Sequence, residues 1–162
     1  MTITRRALLF GSLALPLSQA VAATVRAAPL DGVVSGEVSA VFTRDGFALG
    51  GYDTVAYFTE GRAREGSPDY RMKWRGAVWQ FASDANRQVF EMNPRAYAPQ
   101  FGGYCAYTVA NGYPMKSEPD VWTIHAGRLY LNFNSSIQLL WRRDMAQYID
   151  RARGAWRRID KN

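Results

Sequence analysis

Two stretches of the chain alternate apolar and polar residues with a period of two, and each is interrupted by a two-residue turn signal. Residues 70–74 and 77–81 flank Arg75-Gly76. A two-residue turn there pairs Trp74 with Ala77, Met72 with Trp79 and Tyr70 with Phe81. All six then share one apolar face, with Arg71, Lys73 and Gln80 on the other. Residues 121–125 and 128–133 flank Ala126-Gly127 in the same way. Here Ile124 meets Leu129 and Trp122 meets Leu131 on the core face, while His125 meets Arg128 on the opposite face with Thr123 and Tyr130. The lone histidine is thus predicted beside a cation and away from the core.

Helical spacing fills the remainder. Ser83 is an N-cap for a helix over 84–92, which stops before Pro94. Asp53 follows the chain-breaking Gly50-Gly51 and caps a short helix through Val55, Ala56 and Phe58. Another short helix is predicted from near Tyr104 to Asn111-Gly112. In the last segment Ile137, Trp141, Met145, Tyr148, Ala152 and Trp156 recur at steps of three or four, so one helix runs from a Ser135 or Ser136 cap to about Arg158 and packs against the core. Residues 38–42 read as a short strand. The fold class that follows is α+β, a small single domain of antiparallel hairpins packed with short helices and a long C-terminal helix.

The N-terminus follows a different pattern. Arg5-Arg6 precede an apolar run over residues 7–17, broken by Pro16, and small residues at 20–23 suit cleavage after Ala22. This is the layout of a secretory signal, and the paired arginines make it a twin-arginine one. The run is shorter than the roughly 20 residues a membrane span needs. The expectation is a signal at 1–22, a flexible lead-in at 23–36 and one domain at 37–160, in a periplasmic or secreted protein. About 140 residues then remain, enough for a core.

Of the formal charge of +6, two units sit on Arg5 and Arg6 and leave with the signal. Much of the remainder lies in Arg142, Arg143, Arg151, Arg153, Arg157 and Arg158. On a helix these form a solvated face, or a contact for anionic lipid or a protein partner. Export removes nucleic acid as a natural partner.

Export also makes Cys105 the residue with the most to explain. Thiols in oxidising compartments are normally paired, and this is the only cysteine of the chain. It follows Gly102-Gly103-Tyr104 at the start of a predicted helix, where backbone N–H groups favour a thiolate. A buried, inert cysteine is the alternative reading. One cysteine and one histidine are too few for a structural zinc site. Cu(I) accepts fewer and softer ligands, which makes Met72, Met92 and Met115 candidates by type, Met115 the least committed to packing. No G-x-S-x-G motif, phosphate loop or acidic pair marks an enzyme.

The segments 51–58, 74–81, 93–106 and 127–132 together resemble an exported YHS domain-containing (seleno)protein. The most specific part is Pro94-Arg95-Ala96-Tyr97-Ala98-Pro99-Gln100-Phe101-Gly102-Gly103-Tyr104-Cys105-Ala106. In related sequences the position matching Cys105 can be selenocysteine, which implies that the chalcogen atom has a chemical role. YHS domains at large are similar to small metal-binding modules, though their additional cysteine is absent here. The resemblance implies a soft metal ion, Cu(I), held by Cys105 with Met115 or His125 as a second ligand. A thiol redox protein resolved by an external thiol, and a non-catalytic interaction domain using the arginine face, are the other two readings.

Overall fold

The computed structural model describes residues 38–159. The expected signal at 1–22 and the expected lead-in at 23–36 lie outside the described residues. Along the chain come β1 (Thr43–Arg44), β2 (Phe47–Ala48), α1 (Ala56–Thr59), β3 (Ser67–Trp74), β4 (Ala77–Phe81), α2 (Asp84–Met92), α3 (Pro94–Tyr97), α4 (Ala106–Ala110), β5 (Glu118–His125), β6 (Arg128–Asn132), α5 (Ser135–Arg142) and α6 (Met145–Ile159). The α+β class is the one expected. One sheet has the order β1-β2-β4-β3, and β5 with β6 forms a separate two-stranded sheet.

Both turns place two residues in the left-handed region: Arg75 and Gly76 at φ 48° and 77°, Ala126 and Gly127 at 48° and 67°. That is the turn whose twist matches a right-twisted hairpin. The predicted pairs Trp74–Ala77 and Met72–Trp79 form. So do Trp122–Leu131, Thr123–Tyr130, Ile124–Leu129 and His125–Arg128. The Tyr70–Phe81 pair does not, because Phe81 lies opposite Ser67 and the register shifts between Ser67 and Arg71. Pro68 sits within that shift and has no N–H for a ladder bond.

Four other expectations need correction. Residues 38–42 are not a strand: Phe42 N–H donates to the Gly102 carbonyl (2.8 Å), outside any ladder. Val41 and Phe42 instead enter different hydrophobic clusters, so the segment threads between two cores. The long C-terminal helix is two helices. Asn134, not a serine, caps the first by accepting from Ile137 N–H (2.9 Å), and Asp144 accepts from Gln147 N–H (3.1 Å) at the start of the second. Tyr130 is buried, although alternation put it on the outer face. Trp141 and Phe101 cover it, at ring-centre distances of 5.3 and 6.0 Å. Gln80, likewise assigned outward, is buried beneath Gly51, where a Cβ would stand 2.4 Å from its Oε1.

One core centres on Trp79, Phe81 and Phe90, between the four-stranded sheet and α2. The other joins Leu131, Trp141, Val109 and Ala152 between the second hairpin, α4, α5 and α6. Arg44 joins the two halves by donating to the Ser117 carbonyl and the Glu118 carboxylate, each at 3.1 Å. Tyr57 does the same from inside, donating to the Pro119 carbonyl at 2.9 Å.

Burial, and after it the charge of Asp120, pushes the Tyr57 hydroxyl well above the usual phenol range. The unfolded chain releases that proton near pH 10, before the folded chain does. The unfolded state then binds fewer protons, so the contribution of Tyr57 is complete below about pH 10 and is lost as pH rises further. At pH 8 Tyr57→Phe is expected to be less stable than wild type by about 1–2 kcal/mol, from the orphaned carbonyl. Urea midpoints measured from pH 8 to 11 should converge, and parallel curves would refute this assignment.

Candidate functional site

Cys105 is fully buried. It occupies the position just before α4, and its carbonyl accepts from Val109 N–H and from the Thr108 hydroxyl, each at 3.0 Å. Its N–H donates to the Met115 carbonyl (3.0 Å), and a single parallel bridge sets it beside Leu131 of β6. The sulfur lies 3.9 Å from Asn132 Nδ2, a long contact to an amide that is itself fully buried. The Oδ1 of Asn132 has no hydrogen-bond partner. A buried amide held this way carries the cost of an unmade bond, on the order of 1–3 kcal/mol.

The structure brings Met115 to Cys105 through the backbone and buries it. His125 is elsewhere. It pairs with Arg128 at the turn, three residues along β6 from Leu131, which is about 10 Å at the rise of a strand. Met72 packs against the other core and Met92 is 78% exposed. Among the described residues no group of three or more His, Cys, Asp or Glu side chains is arranged to hold a metal ion.

A concavity of about 820 Å³ lies at the surface between the two cores. Its floor is Val41, Ala98 and Phe101. One wall is the tip of the first hairpin, with Trp74, Arg75 and Trp79. The facing wall is α6, with Arg153, Trp156 and Arg157, and Arg95 and Arg128 close a third side. Among the described residues the lining holds five arginines and no carboxylate. The volume falls in the range of small-molecule sites, roughly 300–1,000 Å³.

Local chemistry makes this cleft rigid. Phe101 and Gly102 are both left-handed, at φ 56° and 63°. A Cβ on Gly102 would stand 2.4 Å from the Ala40 carbonyl oxygen and 3.1 Å from the Trp156 ring, so glycine lets α6 close on the floor. Trp74 makes edge contacts with Trp79 and Phe90, each at 5.6 Å, and Trp156 packs on Tyr104 at 5.7 Å. The Arg128 guanidinium donates to the Arg95 carbonyl (3.0 Å), which joins two of the cations.

The C-terminal arginines do not form one face. Arg153 and Arg157, four apart, point into the cleft. Arg151 and Arg158 line a different groove, and Arg142 donates to the Thr123 hydroxyl at 3.0 Å. The sequence reading missed Arg75, Arg95, Arg128 and the tryptophans as a site. The signal available was an arginine in or beside each hairpin turn, but only the topology shows that the two turns face one cleft. Comparison of the chain with family models, curated proteins and solved structures finds no match.

Proposed function

We propose that this chain is an exported, non-catalytic binding domain of the YHS type, whose ligand site is the arginine–tryptophan cleft and whose ligand is anionic. The observation that carries this reading is the lining itself: Arg95 on α3, Arg128 on β6 and Arg153 with Arg157 on α6 converge on one cleft, and among the described residues its lining holds no carboxylate. Among the described residues Arg95, Arg128, Arg153 and Arg157 pair with no acidic side chain. Converging like charges in a walled cleft focus the field and concentrate anions. Guanidinium groups also suit carboxylate and phosphate oxygens, which they bind in pairs.

Titration with pyrophosphate by calorimetry tests this. Binding is expected at low ionic strength, to weaken steeply with added salt, and to fall by about tenfold or more in the Arg153→Glu/Arg157→Glu double variant. The two side chains are exposed, so the thermal midpoint of the variant should stay close to wild type. Unchanged affinity in the double variant would sink the proposal.

A second reading keeps Cys105 as a soft-metal ligand. Its support is the backbone hydrogen bond that sets Met115 beside Cys105, and the buried Asn132 amide, whose Nδ2 lies 3.9 Å from the sulfur and whose Oδ1 has no partner. Its test is whether Cu(I), added anaerobically to the folded chain, protects the thiol.

A further inference from the structure

Resting on that reading of the cleft, we infer that its ligand is an aromatic anion: a planar ring system carrying a phosphate or carboxylate, with the ring against Trp156 and the anionic group among the arginines. Charge alone does not account for the lining. A site for a small inorganic anion needs a shell of donors a few ångströms across. This cleft is about 820 Å³, and its floor and walls carry Phe101, Trp74 and Trp156 between the cations. Trp74 and Trp156 are each only half-buried, so ring surface remains on both sides of the cleft. A soluble domain gains nothing by leaving such surface in water, at about 25 cal/mol per Å².

The two tryptophans stand on different elements, and each is held from behind. Trp74 has Trp79 and Phe90 in edge contact, and Trp156 has Tyr104 and Phe101. Neither wall therefore needs to rearrange to receive a ring, which lowers the ordering cost of binding. Trp156 is flanked on α6 by Arg153 and Arg157, so an aromatic surface and two cations recur on one helical face. The Arg75 guanidinium already stands 5.8 Å from the centre of the Trp74 ring, which shows that this wall accepts a planar cation against an aromatic face. Arginine itself stacks on flat rings, so the mixed lining favours a ligand that is both planar and anionic. An anionic lipid would supply charge with no ring, and its acyl chains need a longer apolar channel than this lining offers.

Calorimetric titration with 1-naphthyl phosphate, inorganic phosphate, 1-naphthol and phosphatidylglycerol vesicles tests the inference. The expected order places 1-naphthyl phosphate about tenfold or more tighter than either phosphate or 1-naphthol. Trp156→Ala is expected to weaken 1-naphthyl phosphate by about fivefold to tenfold and to leave phosphate unaffected. Should Trp156→Ala fail to fold, Trp156→Leu, which keeps an apolar side chain against Tyr104 but removes the flat ring, gives the same readout. Arg153→Gln/Arg157→Gln is expected to weaken both anions together. Equal affinity for 1-naphthyl phosphate and phosphate overturns the aromatic assignment and leaves an anion site. Equal affinity for 1-naphthyl phosphate and 1-naphthol overturns the anionic part. Binding to vesicles alone makes the face a membrane contact and overturns the inference. If none of the four binds, the cleft is not a ligand site and both readings fall.

Discussion

Replacing Asp53 by alanine is expected to cost the folded state about 3–5 kcal/mol, more than any other truncation of a polar side chain among the described residues. The carboxylate is fully buried and accepts four hydrogen bonds. One oxygen takes Val55 N–H (2.8 Å) and Ala56 N–H (3.3 Å) at the start of α1. The other takes Ala82 N–H (2.8 Å) after β4 and the Asn86 side-chain amide (2.7 Å) on α2. Alanine removes the acceptor and leaves the Val55 and Ala56 donors buried, and the Ala82 and Asn86 donors half-buried, without one, and the penalty for unmade bonds exceeds the modest gain from making them. For a domain of this size the thermal midpoint should fall on the order of 10–20 °C. Asp53→Asn keeps the shape but turns an NH2 toward two donors, so at least half of the loss should remain. A loss under about 1 kcal/mol in Asp53→Ala would mean that desolvating the carboxylate nearly cancels its bonds.

Asp53 also shows how far local sequence carries. Two positions before Val55 it reads as a helix cap, and its carboxylate does accept from the Val55 and Ala56 N–H groups, although α1 itself begins at Ala56 with Val55 in the cap position. Nothing local says that its second oxygen joins β4 to α2. The hairpins are legible because a two-residue turn leaves a single register, and that register puts Met72, Trp74, Ala77 and Trp79 of one hairpin, and Trp122, Ile124, Leu129 and Leu131 of the other, on one side. Where the period held and the ladder did not, as at Pro68, the pattern could not show the break. The C-terminal stripe failed for a related reason. Trp141, Met145 and Tyr148 keep steps of four and three straight across the junction at Arg143–Asp144, so periodicity is blind to the change of helix. Tyr130 and Gln80 were misplaced because alternation assumes one wet face, and here the loop at 49–51 and helix α5 cover the second face of each sheet.

The same limit applies to function. The residue that composition and the expected export single out, Cys105, is buried between α4 and β6, while the cleft residues are common types scattered from position 40 to position 157. Arg75 lies in one hairpin turn and Arg128 directly after the other, and the two turns resemble each other and are far apart in sequence. Their convergence comes from the two cores packing edge to edge, with the 38–42 segment threaded between them. Gly102 serves both regions at once. Its left-handed backbone lets Trp156 close the cleft, and it stands three residues before the thiol. The glycines before Cys105, which suggest access to the sulfur when read as sequence, in the fold give close packing.

That change of meaning sets the second large effect. In the native chain Cys105 is expected to react with a maleimide at least about a thousandfold more slowly than an unhindered thiol, because labelling must wait for an opening whose population is set by stability. The rate should rise in proportion to the open fraction as urea is added, and reach the unhindered value once the chain unfolds. Asp53→Ala should accelerate labelling in native buffer, since destabilising the fold raises the same open fraction. Anaerobic Cu(I) gives the second arm. With the cleft as the functional site, Cu(I) leaves the native labelling rate and the thermal midpoint where they were. A stoichiometric Cu(I) that slows labelling further, raises the midpoint and is lost in Cys105→Ser would transfer the function to the thiol and Met115. Native labelling as fast as that of an unhindered thiol would show that α4 and β6 part readily, and would restore the redox reading of Cys105.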